Sequence, residues 1–429
     1  MKRDRRIIAI AGAGIAGMTA ALFLERIGFR VLVFEKAEAP ASSGTGIQIS
    51  PNAYRVLDEL GLARSVSTVG FAPDAIDIRN GRSGNQLTRF ELGEACLNRH
   101  GAPYTTIHRV DLAHILQTAC EDREDIEILR GLQVADLTVH ANGLTLLCER
   151  EHDFSEHVVN AVIGADGAWS SLRKYVHDAE TPQFTGRVAW RVLVDIENVD
   201  PAVSRTSTGL WLGPKSHLVH YPVRGGHLLN VIAITPWDKD YAPRRGWLNQ
   251  TVVDDRASSF DMWQPHLQEL INIRANWGGW PIYATNKVGC FANGPLCLIG
   301  DAAHAMVPFA AQGGACAIED AYVLASECAK SLDDLASAFV RFEKIRRPRV
   351  KKIMQLSNNN RRIYHMSPPL EWGRNLGMKI TPQESLQKRM DWVYGWKPEP
   401  QDAPVEWRQV MKSKLTSFYK RAEDKIIEE

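Results

Sequence analysis

Ile7-Ile8-Ala9-Ile10-Ala11-Gly12-Ala13-Gly14-Ile15-Ala16-Gly17 decides the fold. An apolar strand, Arg6 to Ala11, runs into Gly-x-Gly-x-x-Gly, and a helix pattern from Gly14 to Ile27 follows until Gly28 stops it. A second strand, Arg30 to Glu35, completes a βαβ unit. In that context each glycine has a task. Gly12 permits a tight turn, Gly14 lets backbone approach a pyrophosphate, and Gly17 lets helix and strand pack closely. The helix start, with Ile15 and Ala16, presents free N–H groups and a positive dipole end to phosphate. Glu35 ends the second strand where a carboxylate accepts hydrogen bonds from a ribose, and Lys36 follows it.

Outward from this unit, Phe71 to Phe90 carries short alternating segments around Asn80-Gly81 and Ser83-Gly84, the pattern of a hairpin. A helix is expected over His108 to Ala119, alternating strands over Glu127 to Arg150, and more strands from Phe184 to Ile234, with a turn at Arg224-Gly225-Gly226. Strand character returns at Leu296–Ile299 before a helix from Gly313 to Cys328. Helices continue over Leu335–Asn360 until Pro368-Pro369. The expected architecture is α/β. A Rossmann-like nucleotide-binding domain is assembled from residues 1–70, 101–180 and 285–365, a β-rich substrate domain from 71–100 and 181–284, and a helical C-terminal tail from 366–429.

Composition narrows the function. Of 429 residues 45% are apolar, enough for a large core, and 51 Lys and Arg nearly balance 50 Asp and Glu. No whole-protein field draws the chain to nucleic acid or to an acidic membrane, so small-molecule partners are expected. Seven scattered cysteines without a CxxC pair suit a reducing cytoplasm and no zinc site. The basic residues before Ile7 superficially imitate a signal peptide, but ordered glycines and a second strand argue for a folded unit.

Two later motifs separate flavin from nicotinamide. Val162-Ile163-Gly164-Ala165-Asp166-Gly167-Ala168-Trp169-Ser170-Ser171-Leu172-Arg173 resembles the Asp-Gly motif of flavoprotein aromatic hydroxylases. Leu298-Ile299-Gly300-Asp301-Ala302-Ala303-His304, continuing to Pro308 and Gln312-Gly313-Gly314, resembles their Gly-Asp motif. Three motifs in family order, over most of the chain, make it similar to the single-component FAD-dependent aromatic hydroxylases, the salicylate and 3-hydroxybenzoate 6-hydroxylase branch together with 6-hydroxynicotinate 3-monooxygenase. The resemblance implies a glutathione-reductase-type FAD domain and non-covalent FAD. It assigns the ribityl chain to Asp301, pyrophosphate and transient NAD(P)H contact to Asp166, and a place near the cofactor to Arg109. The segment Gly44-Thr45-Gly46-Ile47-Gln48 and the loop Pro308–Gly314, with Gly313 and Gly314, should pass the flavin ring. Gln48 stands where some relatives have histidine.

His217 and Tyr221 lie four apart in a strand, so both share one face while His220 takes the other. They match an active-site histidine and tyrosine of the family. Histidine is suited to accept a phenol proton, and Tyr221 with Gln312 to orient the ring. Trp190 and Arg191 must face opposite ways; Arg191 and Arg224 are candidates to hold a substrate carboxylate, but a surface place is expected for both, with Gln48 and Gln312 as neutral substitutes. Asp301 and His304 at i, i+3 lack a third metal ligand, so no metal is expected. The implied reaction uses NAD(P)H and O2 to hydroxylate a small phenolic aromatic or heteroaromatic acid through a C4a-hydroperoxyflavin, in a monomer or homodimer. The alternatives are a Rossmann dehydrogenase using NAD alone, a flavin-dependent epoxidase or other monooxygenase on a non-phenolic ring, and a flavin-loaded redox or regulatory module.

Overall fold

The computed structural model describes residues 6–40, 44–141, 143–151, 153–237, 239, 257–273 and 275–397. Its first layer is a six-stranded sheet in the order Ala292–Asn293, Leu296–Leu298, Ala161–Gly164, Ile7–Ala11, Arg30–Glu35, Ile126–Arg130. All neighbours are parallel except the first pair. The central strand reads as an unbroken apolar run because both its faces are covered, and Ile8, Ala9 and Ile10 are fully buried. Helix Ile15–Arg26 packs against one face beside helix Gly313–Lys330, and ends where Gly28 takes φ +100°. A three-stranded meander, Gln133–His140, Gly143–Arg150 and Asp153–Val159, matches the alternating pattern expected there.

The second layer is a seven-stranded sheet in the order Gly278–Ala284, Gln183–Asp195, Leu228–Pro236, His217–Val223, Thr208–Leu212, Ala75–Asn80, Gln86–Glu91. Its one parallel pair joins Thr208–Leu212 to Ala75–Asn80, which docks the expected early hairpin onto the later strands. On one face, Trp190, Trp211, Trp263 and Trp277 build a separate core. The opposite face looks toward the first layer. Two short antiparallel strands that periodicity did not reveal, Gly46–Ile49 and Thr105–His108, lie between the layers.

Helix Leu335–Tyr364 runs past Asn360 and through Pro348, longer than the sequence pattern indicates. Its Arg346 is buried and paired to Glu319 (2.6 Å) and Asp320 (2.7 Å) of helix Gly313–Lys330, so two helices are tied by charge inside the core. Such a pair is costly to break by removing one partner. After Ser367, helix Leu370–Ile380 and shorter helical segments through Tyr394 bear out the helical C-terminal segment; the expected tail from residue 398 on lies outside the described residues. Among the described residues no helix is long and apolar enough to cross a membrane.

Candidate active site

Between the layers lies one cavity of about 1350 Å³. Pockets for a single small ligand occupy about 300–1,000 Å³, so this one has room for a dinucleotide and a second molecule.

At one end the wall is the glycine turn. Gly12 holds φ +105°, and a β-carbon on it would sit 2.5 Å from the Ala165 carbonyl oxygen. Gly17 packs under the turn, where a β-carbon would lie 1.9 Å from the Gly12 oxygen; it supports the cavity wall without lining it. Gly14 faces open space, with nothing within 4 Å of its β-position, and no side chain caps the helix it begins. Gly14, Ile15 and Ala16 all line the cavity. Glu35 accepts hydrogen bonds from Ala13 N (2.8 Å) and Ala37 N (2.9 Å), which straps the second strand to the turn, with Lys36 alongside.

The two aspartate motifs arrive next to it because Ala161–Gly164 and Leu296–Leu298 are neighbouring strands. One oxygen of Asp166 caps Ser171 N (2.8 Å) while its Oδ1 is buried with no hydrogen-bond partner among the described residues. Asp301 lines the cavity with its side chain exposed to it. Arg173, quoted in the first motif but assigned no task there, joins the two: Nη1 donates to Ala168 O (2.6 Å), Nη2 to Asp301 O (2.7 Å) and Nε to Ala302 O (2.9 Å). Asp320 acts similarly from behind, accepting from Gly300 N (2.9 Å) and meeting His304 Nε2 at 2.6 Å. Burial pushes the Asp320 carboxyl up, but His304 and Arg346 overcome this and hold it down at about 2. His304 is thus an internal partner of Asp320, and the described residues contain no metal-ligating cluster.

Arg109 lines the same wall, its backbone N bonded to Thr45 O (2.9 Å). Gly46, Ile47 and Gln48 follow on the strand between the layers, opposite Pro308–Ala311, Gly313 and Gly314. The uncapped helix start and the open backbone face at Gly14 suit a pyrophosphate, and the free Asp166 oxygen suits a hydroxyl donor of the same dinucleotide, so the residues present fit FAD.

At the far end the seven-stranded sheet supplies the wall. His217 and Tyr221 both line the cavity, and His220 lies on the other face beside Trp211, as the spacing requires. Tyr221 lies against Gly46, whose β-position would be 2.4 Å from its ring. Gln48 accepts a hydrogen bond from the Tyr104 hydroxyl and also faces the Tyr221 hydroxyl. Burial raises both tyrosines above their ordinary range, so both stay protonated donors. Burial, reinforced by the Arg187 charge, pushes His217 down to about 3, so its ring is neutral near pH 7.

Two expectations are corrected here. Arg191 is no surface residue: it lines the cavity, its Nη1 reaches Thr45 Oγ1 (3.3 Å) and its Nε is buried with no partner among the described residues, while Trp190 points into the other core. Pairing with Gly278–Ala284 and Leu228–Pro236 on either side makes its strand central, which the local sequence does not reveal. Arg224 does stay outside, paired with Asp111 at 3.1 Å. Gln312 does not line the cavity: its Oε1 accepts from Asn52 Nδ2 (3.1 Å) and its Nε2 donates to Ser50 Oγ (3.0 Å), so both ends of the amide are used in the core. Tyr104 and His365, which sequence reasoning passed over, carry no motif and become visible only through their contacts.

Comparison with known proteins agrees with this geometry. The family model described as "FAD binding domain" matches residues 6–357. The chain is 30% identical over 392 residues to a 3-hydroxybenzoate 6-hydroxylase of Klebsiella oxytoca, covering 91% of this chain and 96% of the relative. It is 32% identical over 407 residues to a 3-amino-4-hydroxybenzoate 2-monooxygenase of Streptomyces platensis, covering 93% and 98%. Klebsiella pneumoniae HpxO, solved with FAD and uric acid, superposes with a TM-score of 0.79 at 25% identity, covering 90% of this chain and 96% of HpxO. Taken with the glycine turn and the two aspartate loops, these matches show that the chain belongs to the FAD-dependent aromatic hydroxylases, a family of flavoprotein monooxygenases.

Proposed function

We propose that the enzyme uses NAD(P)H and O2 to hydroxylate a small aromatic or heteroaromatic acid that already carries a ring hydroxyl. The observation that carries this reading is the convergence of His217, Tyr221, Arg191 and Gln48 at the end of the cavity bounded by Pro308–Ala311. The relatives named for hydroxybenzoates and 6-hydroxynicotinate support the same substrate class.

FAD, held by Gly12–Gly17, Glu35, Arg109, Asp166 and Asp301, supplies the electron and dioxygen chemistry when bound. The chain's own residues do the rest. Tyr221 and Gln48 orient the ring by hydrogen bonds. His217, neutral at working pH, accepts the phenol proton, because a phenolate is a much stronger nucleophile than a phenol. With its conjugate acid pushed down to about 3, His217 by itself is a weak base toward a phenol of ordinary pKa near 10, so the anion needs a counter-charge. Arg191 is that charge: it is enclosed, stays cationic, and has an Nε with no partner among the described residues, open to a phenolate or carboxylate oxygen. The apolar walls around it, Ile232, Ile234 and Pro281 among them, exclude water.

In the same reading, residues 1–70, 101–180 and 285–365 form the FAD-binding domain and 71–100 with 181–284 the substrate domain. In support, every strand of the six-stranded sheet falls in the first set and every strand of the seven-stranded sheet in the second. The enzyme works in the cytoplasm.

The test is to purify the protein, record its visible spectrum, and follow NAD(P)H and O2 consumption with hydroxybenzoates, hydroxynicotinates and their analogues. Removing the ring hydroxyl should abolish product, and replacing the carboxylate by an amide should mainly raise KM. Best coupling with a non-phenolic compound would overturn the assignment of His217 as the base.

A further inference from the structure

His217 is not alone in the wall. Its Nδ1 lies 2.7 Å from Nε2 of His365, the residue that ends the long helix Leu335–Tyr364. The ring centroids are 4.9 Å apart, and Phe309 packs edge-on against both rings at 5.4 Å and 5.5 Å. Both histidines are buried, and the side chain of His217 makes no other hydrogen bond among the described residues. We propose that His365 is a positioning residue: it sets the tautomer of His217, leaving His217 Nε2 bare toward the substrate. This rests on the reading of His217 as the base.

A hydrogen bond between two neutral imidazoles needs one N–H and one lone pair, so the two tautomers are tied together. If His365 donated from Nε2, His217 would carry its hydrogen on the cavity nitrogen and be unable to accept a proton there. The role of His217 as base therefore requires the other arrangement: His217 donates through Nδ1, His365 Nε2 holds a lone pair, and the hydrogen of His365 sits on its buried Nδ1.

The phenol O–H bond breaks as an N–H bond forms at His217 Nε2, while the Nδ1 hydrogen stays in its bond to the lone pair of His365, and the Nε2 proton returns when the product phenol is released. Groups facing the pair keep His365 a neutral acceptor. Arg187 on strand Gln183–Asp195 and Arg361 on the helix both oppose a cation at His365, and neither Phe309 nor the protonated Tyr364 compensates it.

The experiment uses the FAD-loaded enzyme with 15N-labelled histidine, and needs no substrate. His217, identified by loss of its signals in His217→Ala, should show a protonated Nδ1 and an unprotonated Nε2 by chemical shift. In His365→Leu that single tautomer should give way to a mixture. His365→Gln, whose amide oxygen replaces the lone pair, should restore it. Turnover should follow: kcat of hydroxylation falls about tenfold or more in His365→Leu with KM within about twofold, and His365→Gln recovers part of it with an altered pH profile. A protonated Nε2 in the unmodified protein overturns the proposal whether or not the variants fold, and so does an unchanged tautomer in a folded His365→Leu. Failure to hydroxylate any phenol would instead refute the functional reading, leaving the tautomer result intact.

Discussion

The two ends of the cavity are built from different materials. At the dinucleotide end the recognising surface is backbone: six consecutive residues, Gly12 to Gly17, shape it, and absent side chains matter more than present ones. At the ring end the surface is side chains, with Gln48, Tyr104, Arg191, His217 and Tyr221 brought in from segments far apart in the chain and His365 behind His217. The first kind of site tolerates almost no added atom. The second tolerates many changes of shape but few of charge or tautomer, because its residues sit in low-dielectric surroundings that amplify each unpaired group.

The sharpest way to break this contrast is to add atoms to the turn. Gly17→Val should prevent a folded FAD-loaded protein from accumulating, since its β-carbon would meet the Gly12 oxygen at 1.9 Å. Gly14→Val should fold, having open space, but lose FAD by blocking approach to the pyrophosphate. Flavin content and melting temperature read both outcomes, and full flavin in Gly14→Val would show the turn to be misassigned.

At the ring end, His217→Ala should keep FAD and fold but lower coupled hydroxylation about 10²–10⁴-fold, the usual worth of a positioned base, while releasing more H2O2 per NAD(P)H. Stopped assays of product and peroxide check this; unchanged coupling would remove His217 from the reaction. A smaller effect is expected from the arginines. Arg191→Met should raise KM for a carboxylated phenol about tenfold to a hundredfold, the equivalent of about 1.5–3 kcal/mol for a charged hydrogen bond. Arg224→Met, which breaks only an exposed pair, should shift it by less than about twofold. Equal effects of the two would mean that enclosure of Arg191 has no consequence for binding.

The smallest effect separates function from burial. His220, like His217, is buried and pushed down to about 3, yet it lies on the face away from the cavity and neither ring nitrogen has a hydrogen-bond partner among the described residues. Its folded pKa is below the unfolded value near 6.5, so the unfolded chain binds the extra proton and stability falls as pH drops from about 6.5 toward 3. His220→Phe should therefore remove up to about 1.4 kcal/mol per pH unit of that acid slope with catalysis unaltered at neutral pH. Denaturant melts between pH 5 and 7 provide the check, and an unchanged slope would show that His220 is already charged in the folded state. A depressed histidine pKa marks burial in both places; only position in the cavity makes one of them chemical.

What the sequence determined by itself is the part of the protein whose physics is local. The glycine spacing after an apolar strand, the hairpin at Ala75–Asn80 and Gln86–Glu91, and the shared face of His217 and Tyr221 all follow from turn chemistry and a two-residue strand period. Tertiary structure decided the rest. Arg191 reads as a surface residue until its strand acquires neighbours on both edges, and Gln312 reads as a substrate contact until Ser50 and Asn52 take both ends of its amide. Strands Gly46–Ile49 and Thr105–His108 are too short for periodicity to show and exist because they pair with each other. His365 has no motif at all; it matters through one 2.7 Å contact with a residue on another element. A backbone site is encoded where the chain turns, whereas a side-chain site comes into being only when distant segments pack, because its energy lies in pairings between residues that the sequence keeps apart.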